Sequence, residues 1–227
     1  LKRPLWGYRY RWDGPYLVLE VRHPPNADPA APLRGLRIGV DAGHMGGIGD
    51  TGAIGPTRLQ EVDATLTLAR RLAELLRARG AEVVEIRPDT GIVPLVERPV
   101  IATQADVHLL VSLHFNAFPD GVNPFERHGT TMFYYWPHSL ELARHLQREL
   151  VAELGLPDRG VRFQNLAMTR TTWMPAVLTE TLFLMFPEQE AALRDPATVD
   201  RIAQAHLRAI EGFMSERAFL RAEEGGQ

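Results

Sequence analysis

The sequence contains no cysteine, and Lys2 is the only lysine among its 25 basic residues. The absence of cysteine excludes disulfide bonds and thiolate metal sites. No run of about 18 apolar residues is present, so no transmembrane helix is predicted, and the first residues show no secretory signal pattern. The net charge of −3 provides no strong field for a polyanion, so we expect no nucleic acid as a partner.

The 227 residues, 45% of them hydrophobic and 23% charged, suffice for one large α/β domain with its own core. Changes in sequence pattern divide the chain into four parts. We predict a β-hairpin at residues 1–22, a proline-rich linker at 23–35, a main domain at 36–216 and a C-terminal tail at 217–227.

The hairpin prediction depends on a row of alternating aromatic residues. Trp6, Tyr8, Tyr10 and Trp12 share one parity, and Asp13-Gly14 before a second strand-like run is a turn signal. A two-stranded hairpin is marginal in isolation, so it must pack on something. Two interpretations stay open. The aromatic row is core or interface, for example as the last hairpin of an upstream domain, or it is a platform for a glycan.

The main domain alternates between strand and helix patterns. Strands are predicted at 36–41, 81–86, 107–113, 129–135 and 175–180, and helices at 61–79, at 139–154 with Ser139 as the cap, and from 196 onwards. A helix within 93–104 should begin late or kink because it contains Pro99. This alternation predicts an α/β fold of three αβα layers, in which helices cover both faces of a mostly parallel sheet.

Four polar residues stand out as a candidate site. His44, His114 and Glu180 lie at or just beyond the ends of three predicted strands, where ligands bind in open α/β sheets, and Glu61 opens a predicted helix. Two imidazoles and a carboxylate are a known ligand set for catalytic zinc. One further carboxylate is what metal-assisted hydrolysis needs as a base. Taken singly, each has a simpler explanation, such as an exposed turn histidine or a first-turn carboxylate.

The other histidines are assigned mainly to packing. His108 precedes His114 by six positions, roughly 20 Å along an extended strand, so the two cannot share a metal ion. His206 falls on the apolar side of the last helix and is expected to be packed. For His128 the interpretation stays open, because its loop could reach the cleft.

Five motifs carry a resemblance to a known family. They are Val40-Asp41-Ala42-Gly43-His44, Thr51-Gly52-Ala53-Ile54-Gly55 with Glu61, Ser112-Leu113-His114-Phe115-Asn116-Ala117, Asp158-Arg159-Gly160-Val161, and the run from Arg170 to Glu180. In this order they resemble the zinc-dependent N-acetylmuramoyl-L-alanine amidases, the type-3 amidases among bacterial cell-wall hydrolases. The resemblance runs from about Leu36 to Met214.

The resemblance implies roles for individual residues. His44, Glu61 and His114 match the zinc ligands, and Glu180 matches the catalytic glutamate. The implied fold is a mixed, mostly parallel sheet between helix layers. The implied reaction cleaves the amide between N-acetylmuramic acid and L-alanine in peptidoglycan, which places the protein outside the cytoplasm, in the periplasm or cell wall.

Further candidate residues and partners depend on the same resemblance. Asn116 and Arg170 are candidate substrate contacts. Asp41 either orients a ligand histidine or caps a loop. Some family members insert a long helix that blocks the site until a partner displaces it. Residues 117–128 are too few for such a helix with its connections, so we predict an open site that needs no activator protein.

The sequence also departs from the family pattern. The family usually has a glycine and a Ser-Asn pair after the catalytic glutamate, whereas here Thr181-Leu182-Phe183-Leu184-Met185-Phe186-Pro187 follows. Extra residues also surround Met45-Gly46-Gly47. Two alternatives are therefore kept. One is a zinc peptidase of carboxypeptidase type, which uses the same ligands and could hold a terminal carboxylate with Arg170 or Arg159. The other is a non-catalytic peptidoglycan-binding module.

Overall fold

The computed structural model describes residues 5–47, 49–119 and 121–225 of the chain. In chain order, these residues form β1 (Gly7–Asp13), β2 (Tyr16–Arg22), β3 (Arg37–Ala42), α1 (Glu61–Ala78), β4 (Glu82–Glu85), α2 (Arg98–Gln104), β5 (Leu109–Asn116), β6 (Thr130–Tyr134), α3 (Leu140–Leu154), β7 (Asp158–Phe163), β8 (Ala176–Phe183), α4 (Pro187–Arg194) and α5 (Pro196–Gly225). Short 3-10 helices lie at Pro124–Glu126, Pro137–Ser139 and Ala167–Thr169.

A six-stranded mixed sheet, in the order β4-β3-β5-β8-β6-β7, forms the centre of the main domain. The pairs β3/β4, β3/β5, β5/β8 and β6/β7 are parallel, and β6 runs antiparallel to β8. The carboxyl ends of β3, β5 and β8 therefore meet at one edge of the sheet. The predicted α/β class is confirmed, together with the mostly parallel mixed sheet.

Helices lie on both faces of this sheet, as predicted. On one face, apolar residues of β3 and β5 pack with residues of α1, α3 and α5 in the larger core cluster. On the other face, Leu110 and Ala176 pack with Ala102 of α2 and Met168 of the third 3-10 helix in a smaller cluster. This second layer is thinner, because α2 spans only Arg98–Gln104. Pro99 lies in its first turn, so of the two predicted outcomes the late start is the one found.

The base of the N-terminal hairpin packs on the main domain. The indole of Trp6 is only 2% exposed, donates from Nε1 to the carbonyl of His108 at 2.6 Å, and stacks on Phe213 with 5.4 Å between ring centroids. The backbone N–H of Tyr8 donates to the carbonyl of Thr172 at 2.8 Å. These contacts bury part of the predicted aromatic row in the core. The two-residue turn is Gly14-Pro15, because Asp13 still pairs with Tyr16.

The outer part of the hairpin remains exposed. Trp12 pairs with Leu17 and Tyr10 pairs with Leu19, and all four side chains are more than half exposed. Cross-strand partners share one face of a strand pair. This face is therefore apolar, whereas Arg9, Arg11 and Glu20 form ion pairs on the opposite face.

Four features of the fold differ from the sequence prediction. Strand β7 was not predicted, because it lies at an edge of the sheet and contains Gly160 and several charges, so its sequence has no strand pattern. Helix α4 was not predicted either, because it is short and has too few apolar residues to show a helical periodicity. Ser139 does not cap α3 through its side chain, because its hydroxyl accepts a hydrogen bond from the N–H of Ala176 at 3.0 Å. The segment predicted as a tail from 217 continues α5 to Gly225.

Residues 1–4 of the predicted hairpin and residues 226–227 of the predicted tail lie outside the described residues. The predicted boundaries between the four parts of the chain, at residues 22, 35 and 216, stay predictions.

His206 is fully buried beneath the sheet, as its position on the apolar side of α5 indicates. Its Nδ1 lies 2.9 Å from the carbonyl of Ile202, and its Nε2 lies 3.3 Å from the hydroxyl of Thr179. A neutral ring that donates from Nδ1 and accepts at Nε2 satisfies both partners. Burial lowers the pKa of His206 to about 4, despite the favourable effect of the Ile202 carbonyl.

We therefore expect acid to destabilise the protein through His206. In the unfolded chain His206 becomes protonated below about pH 6.5, whereas in the folded protein it stays neutral down to about pH 4. The free energy of unfolding therefore falls as the pH drops through this range. Between about pH 7.5 and pH 5 the expected loss from this residue is about 2 kcal/mol. Urea unfolding of His206→Gln at both pH values should show a smaller loss than the wild type. The linker variant His23→Gln should match the wild type, and equal losses in all three proteins would contradict the assignment.

Candidate active site

The four predicted site residues come from four different elements. His44 lies in the loop after β3, and Glu61 is the first residue of α1. His114 and Glu180 lie inside β5 and β8, because these strands continue to Asn116 and Phe183, beyond their predicted ends. All four positions are at the carboxyl edge of the parallel strands, where α/β sheets place ligands.

His44, Glu61 and His114 converge on one point. Their candidate ligand atoms all lie within 4.8 Å of one another. Oε1 of Glu61 is 2.8 Å from Nε2 of His44 and 3.1 Å from Nδ1 of His114. The two imidazole rings meet edge to face, with 4.9 Å between centroids. This is the only such cluster of three potential ligands within the described ranges.

The carboxylate of Glu61 is held by the backbone on both sides. Its Oε1 accepts from the N–H of Phe115 at 3.0 Å, and its Oε2 accepts from the N–H of Ala53 at 2.9 Å. Burial alone would raise its pKa, but interactions with His114 and His44 outweigh burial and lower the pKa of Glu61 to about 2. Glu61 is therefore anionic at neutral pH and fixed in orientation, as a metal ligand requires.

The loop that carries His44 approaches the site very closely. His44 itself has a φ of 68°, in the left-handed region. A Cβ at Gly52 would lie 2.5 Å from Nε2 of His44, and a Cβ at Gly43 would lie 2.4 Å from the ring of His114. Only glycine leaves room for the two imidazoles at these positions.

Asp50 orients the ring of His44, a role that the sequence interpretation considered for Asp41. Oδ1 of Asp50 lies 2.8 Å from Nδ1 of His44, and this contact leaves Nε2 directed at Glu61. Burial would lower the pKa of His44, but Glu61 and Asp50 outweigh it and raise that pKa. A carboxylate on the second ring nitrogen is the usual support for a histidine metal ligand. The sequence analysis did not single out Asp50. The signal that could have pointed to it is its position in the glycine-rich loop that also carries His44.

Asp41 instead forms a buried ion pair behind the site. Its Oδ1 accepts from Nη1 of Arg98 at 2.9 Å, and its Oδ2 accepts from the hydroxyl of Ser112 at 2.6 Å. Arg98 is 1% exposed and also donates to the carbonyls of Ala42 and His44. Of the two roles considered for Asp41, direct orientation of a ligand ring has no contact to support it among the described residues. Asp41 fixes Arg98, and Arg98 holds the main chain of His44.

Glu180 faces the same point from the neighbouring strand. It pairs with His114 in the parallel register of β5 and β8, so the two side chains project from the same side of the sheet. Its Oε2 is buried without a hydrogen-bond partner among the described residues. Burial, followed by the negative charge of Glu61, raises the pKa of Glu180 well above its usual range. A buried carboxyl group with a raised pKa is typical of groups that exchange protons in active sites.

The remaining candidates lie outside this cluster. A cavity of about 250 Å³ is lined by His44, His114 and Leu178 among others, and Arg170 lies instead in an adjoining groove. The backbone carbonyl of Asn116 accepts from the N–H of Leu184 at 2.9 Å. The ring of His128 packs against Phe186, with 5.0 Å between centroids, so its loop does not bring it to the three potential ligands.

The unusual run after Glu180 forms an aromatic wall. Strand β8 continues through Phe183, whose ring lies 4.8 Å from that of Phe118, and Phe186 contacts Phe125 at 5.1 Å between centroids. The backbone of Phe183 donates to Oε1 of Gln189 at 2.7 Å. The departure from the family pattern therefore builds packed structure and leaves Glu180 in register with His114.

The donor set fits a divalent metal ion. Nε2 of His44 is buried and has no partner of normal hydrogen-bond geometry among the described residues, although a carboxylate oxygen lies 2.8 Å away. Buried polar atoms of this kind are rare unless a ligand satisfies them. Two imidazoles and one carboxylate are ligands that zinc accepts at a catalytic site with an open position.

Comparison with known proteins agrees with this geometry. Residues 38–212 match the N-acetylmuramoyl-L-alanine amidase family over most of the chain. The chain therefore belongs to the N-acetylmuramoyl-L-alanine amidase family. The identification from the sequence motifs is confirmed, and with it the class of enzyme to which the family belongs.

Individual relatives show the same relationship. The chain is 35% identical over 178 residues to the amidase LytC of Bacillus subtilis (strain 168), a match that covers 77% of this chain and 34% of LytC. It is 28% identical to a crystal structure of an N-acetylmuramoyl-L-alanine amidase from Clostridium difficile 630, with a TM-score of 0.73 over 79% of this chain and 97% of the other. The chain thus spans about a third of the length of LytC but nearly the whole of the crystallised amidase.

One structural relative was solved with a partner. The CwlD amidase from Clostridioides difficile, in complex with the GerS lipoprotein, is 27% identical with a TM-score of 0.73, covering 80% of this chain and 100% of CwlD. No described helix of the present chain is long and apolar enough to cross a membrane.

Proposed function

We propose that this chain hydrolyses the amide between N-acetylmuramic acid and L-alanine with a zinc ion held by His44, Glu61 and His114. The observation that carries the proposal is the convergence of these three side chains within 4.8 Å of one another. Zinc, when bound, would polarise the amide carbonyl and acidify the attacking water. Other divalent ions of the first transition row could be accepted by the same ligands, so the choice of zinc is itself part of the proposal.

Glu180 performs the proton transfers in this proposal. Because it pairs with His114 across β5 and β8, its carboxylate lies beside the metal ligands without belonging to them. It takes a proton from the attacking water and later gives a proton to the leaving amine of L-alanine. The partnerless Oε2 of Glu180 is available for this exchange.

The proposal extends to access, substrate contacts and location. Asn116 and Arg170 are proposed to contact the substrate. Between β5 and β6 the described residues form one 3-10 turn at Pro124–Glu126, which supports a site that needs no activator protein. GerS is a partner of CwlD, and for this chain a large stimulation by any added partner would contradict an open site. The proposed place of action is the periplasm or cell wall, where peptidoglycan lies.

Digestion of purified peptidoglycan tests this function. We expect free stem peptides that begin with L-alanine, detected by mass spectrometry, to disappear after chelation and to return when zinc is added. Muropeptides shortened only at the peptide end would instead support a zinc carboxypeptidase. Binding without any metal-dependent release would support a non-catalytic wall-binding module.

A further inference from the structure

A second depression, here named the α2 groove, adjoins the metal site. It has a volume of about 480 Å³, within the range of specific ligand sites. Its walls come from three parts of the chain, namely Arg9 of the hairpin, Val100 and its neighbours in α2, and the segment from Arg170 to Trp173 before β8. Ala167 lines both this groove and the cavity that contains His44 and His114. The two depressions are therefore adjacent.

The charge of the α2 groove is positive. Arg9 and Arg170 are among its lining residues, and no aspartate or glutamate lines it within the described part of the chain. Arg9 lies over the ring of Trp173, with 4.4 Å from its guanidinium carbon to the ring centroid, and pairs with Glu20 on its other side. Glu20 also pairs with Arg11, which pairs in turn with Asp13, so Arg9 shares its only carboxylate partner among the described residues. The hairpin thus contributes the guanidinium of Arg9 to the far end of the groove.

Arg170 lies at the near end with a free guanidinium. Its main-chain carbonyl accepts from Nε1 of Trp136 at 2.8 Å, which fixes the backbone. The side chain is exposed and has no hydrogen bond or ion pair within the part of the chain that the structure describes. An anchored backbone with an unpaired guanidinium is well placed to bind a carboxylate of a ligand.

The substrate has two chemically different halves. On the sugar side, the lactyl carboxyl group is consumed in the amide and leaves no charge. On the peptide side, the chain ends in a carboxylate and gains another at each acidic residue. We propose that the α2 groove binds the peptide half of the substrate, with its carboxylates at Arg170 near the metal site and at Arg9 further along. This inference depends on the proposed function and adds the orientation of the substrate and a role for the hairpin, which lies outside the family match at 38–212.

Soluble muramoyl peptides with free or amidated carboxyl groups test this orientation. We expect the wild-type zinc enzyme to prefer the free acids. In Arg170→Gln, kcat/KM on a muramoyl dipeptide with a free acidic residue should fall about tenfold, mostly through KM, while the amidated dipeptide should be cleaved as by the wild type. In Arg9→Gln the loss should appear only on longer peptides. Equal effects of both variants on free and amidated substrates would overturn the proposal.

The matched control is Arg11→Gln. Arg11 lies two positions from Arg9 on the same face of β1 and also pairs with Glu20, but it does not line the groove. Arg11→Gln should leave kcat/KM on every substrate unchanged, so a loss of kcat/KM common to Arg9→Gln and Arg11→Gln would indicate damage to the hairpin and count against the proposal.

A second measurement is the binding of free acidic stem peptide to metal-depleted protein, followed by calorimetry. Its affinity should be lower in Arg170→Gln than in the wild type.

Two further outcomes separate the claims. Competition by peptide-free glycan chains, and none by free stem peptide, would assign the groove to the sugar half and overturn the inference while the amidase function stands. If the wild type releases no peptide from any muramoyl substrate in the presence of zinc, the proposed function itself fails, and the inference fails with it.

Discussion

Glu180→Gln is expected to lower the rate of amide hydrolysis by at least ~100-fold, the scale of general-base catalysis. Glutamine keeps the size of the side chain but cannot accept the proton of the attacking water. Zinc binding should persist, because Glu180 lies across from His114 and is not among the three converging ligands. The measurement is peptide release from peptidoglycan together with zinc content of the purified variant.

This variant should also be at least as stable as the wild type. The wild-type carboxyl group has a buried oxygen without a partner among the described residues, and a buried charged or polar group in that state costs stability. Residues that weaken the fold but serve the reaction are expected at an active site.

The control for the loss of activity is Glu188→Gln, at an exposed first-turn position of α4, which should keep full activity. Full activity in Glu180→Gln would remove Glu180 from the mechanism.

The four central residues were predictable because each belongs to a strong local signal. A buried parallel strand followed by His114 or Glu180 places that residue at the carboxyl edge of the sheet. Glu61 opens a helix whose apolar face is regular, so its place at the helix start follows from periodicity. Even so, the sequence did not reveal that β5 and β8 pair in a register that puts His114 directly opposite Glu180.

The supporting residues could not be found in this way. Asp50 reaches the ring of His44 only because the glycine-rich loop folds back and His44 adopts a positive φ. Arg98 reaches the carbonyl of His44 from α2, 54 positions along the chain. Such contacts depend on tertiary packing and leave no periodic trace in the sequence. The same holds for the groove between the hairpin and α2, since neither element indicates by itself that they are neighbours.

The second large effect is expected at the buried pair of Arg98 and Asp41. Arg98→Met should destabilise the protein by about 3 kcal/mol or more, because it leaves the fully buried carboxylate of Asp41 without its charged partner and with only the hydroxyl of Ser112. It should also lower zinc affinity by about 10- to 100-fold, the usual loss when the support of a metal ligand is removed. Urea unfolding of the metal-free protein and competition with a zinc chelator measure the two effects separately.

A double variant separates positioning from stability. Asp41→Asn combined with Arg98→Met removes both buried charges, so part of the lost stability should return. Zinc affinity should stay low, because the main chain of His44, in its left-handed conformation, still lacks the guanidinium that holds its carbonyl. The surface variant Arg71→Met, which breaks exposed ion pairs with Asp200 and Glu74, should change neither quantity appreciably. If the double variant binds zinc as tightly as the wild type, Arg98 serves only the stability of the fold. If its zinc affinity stays low, Arg98 positions the metal ligand His44 through the backbone carbonyl and not through the imidazole ring.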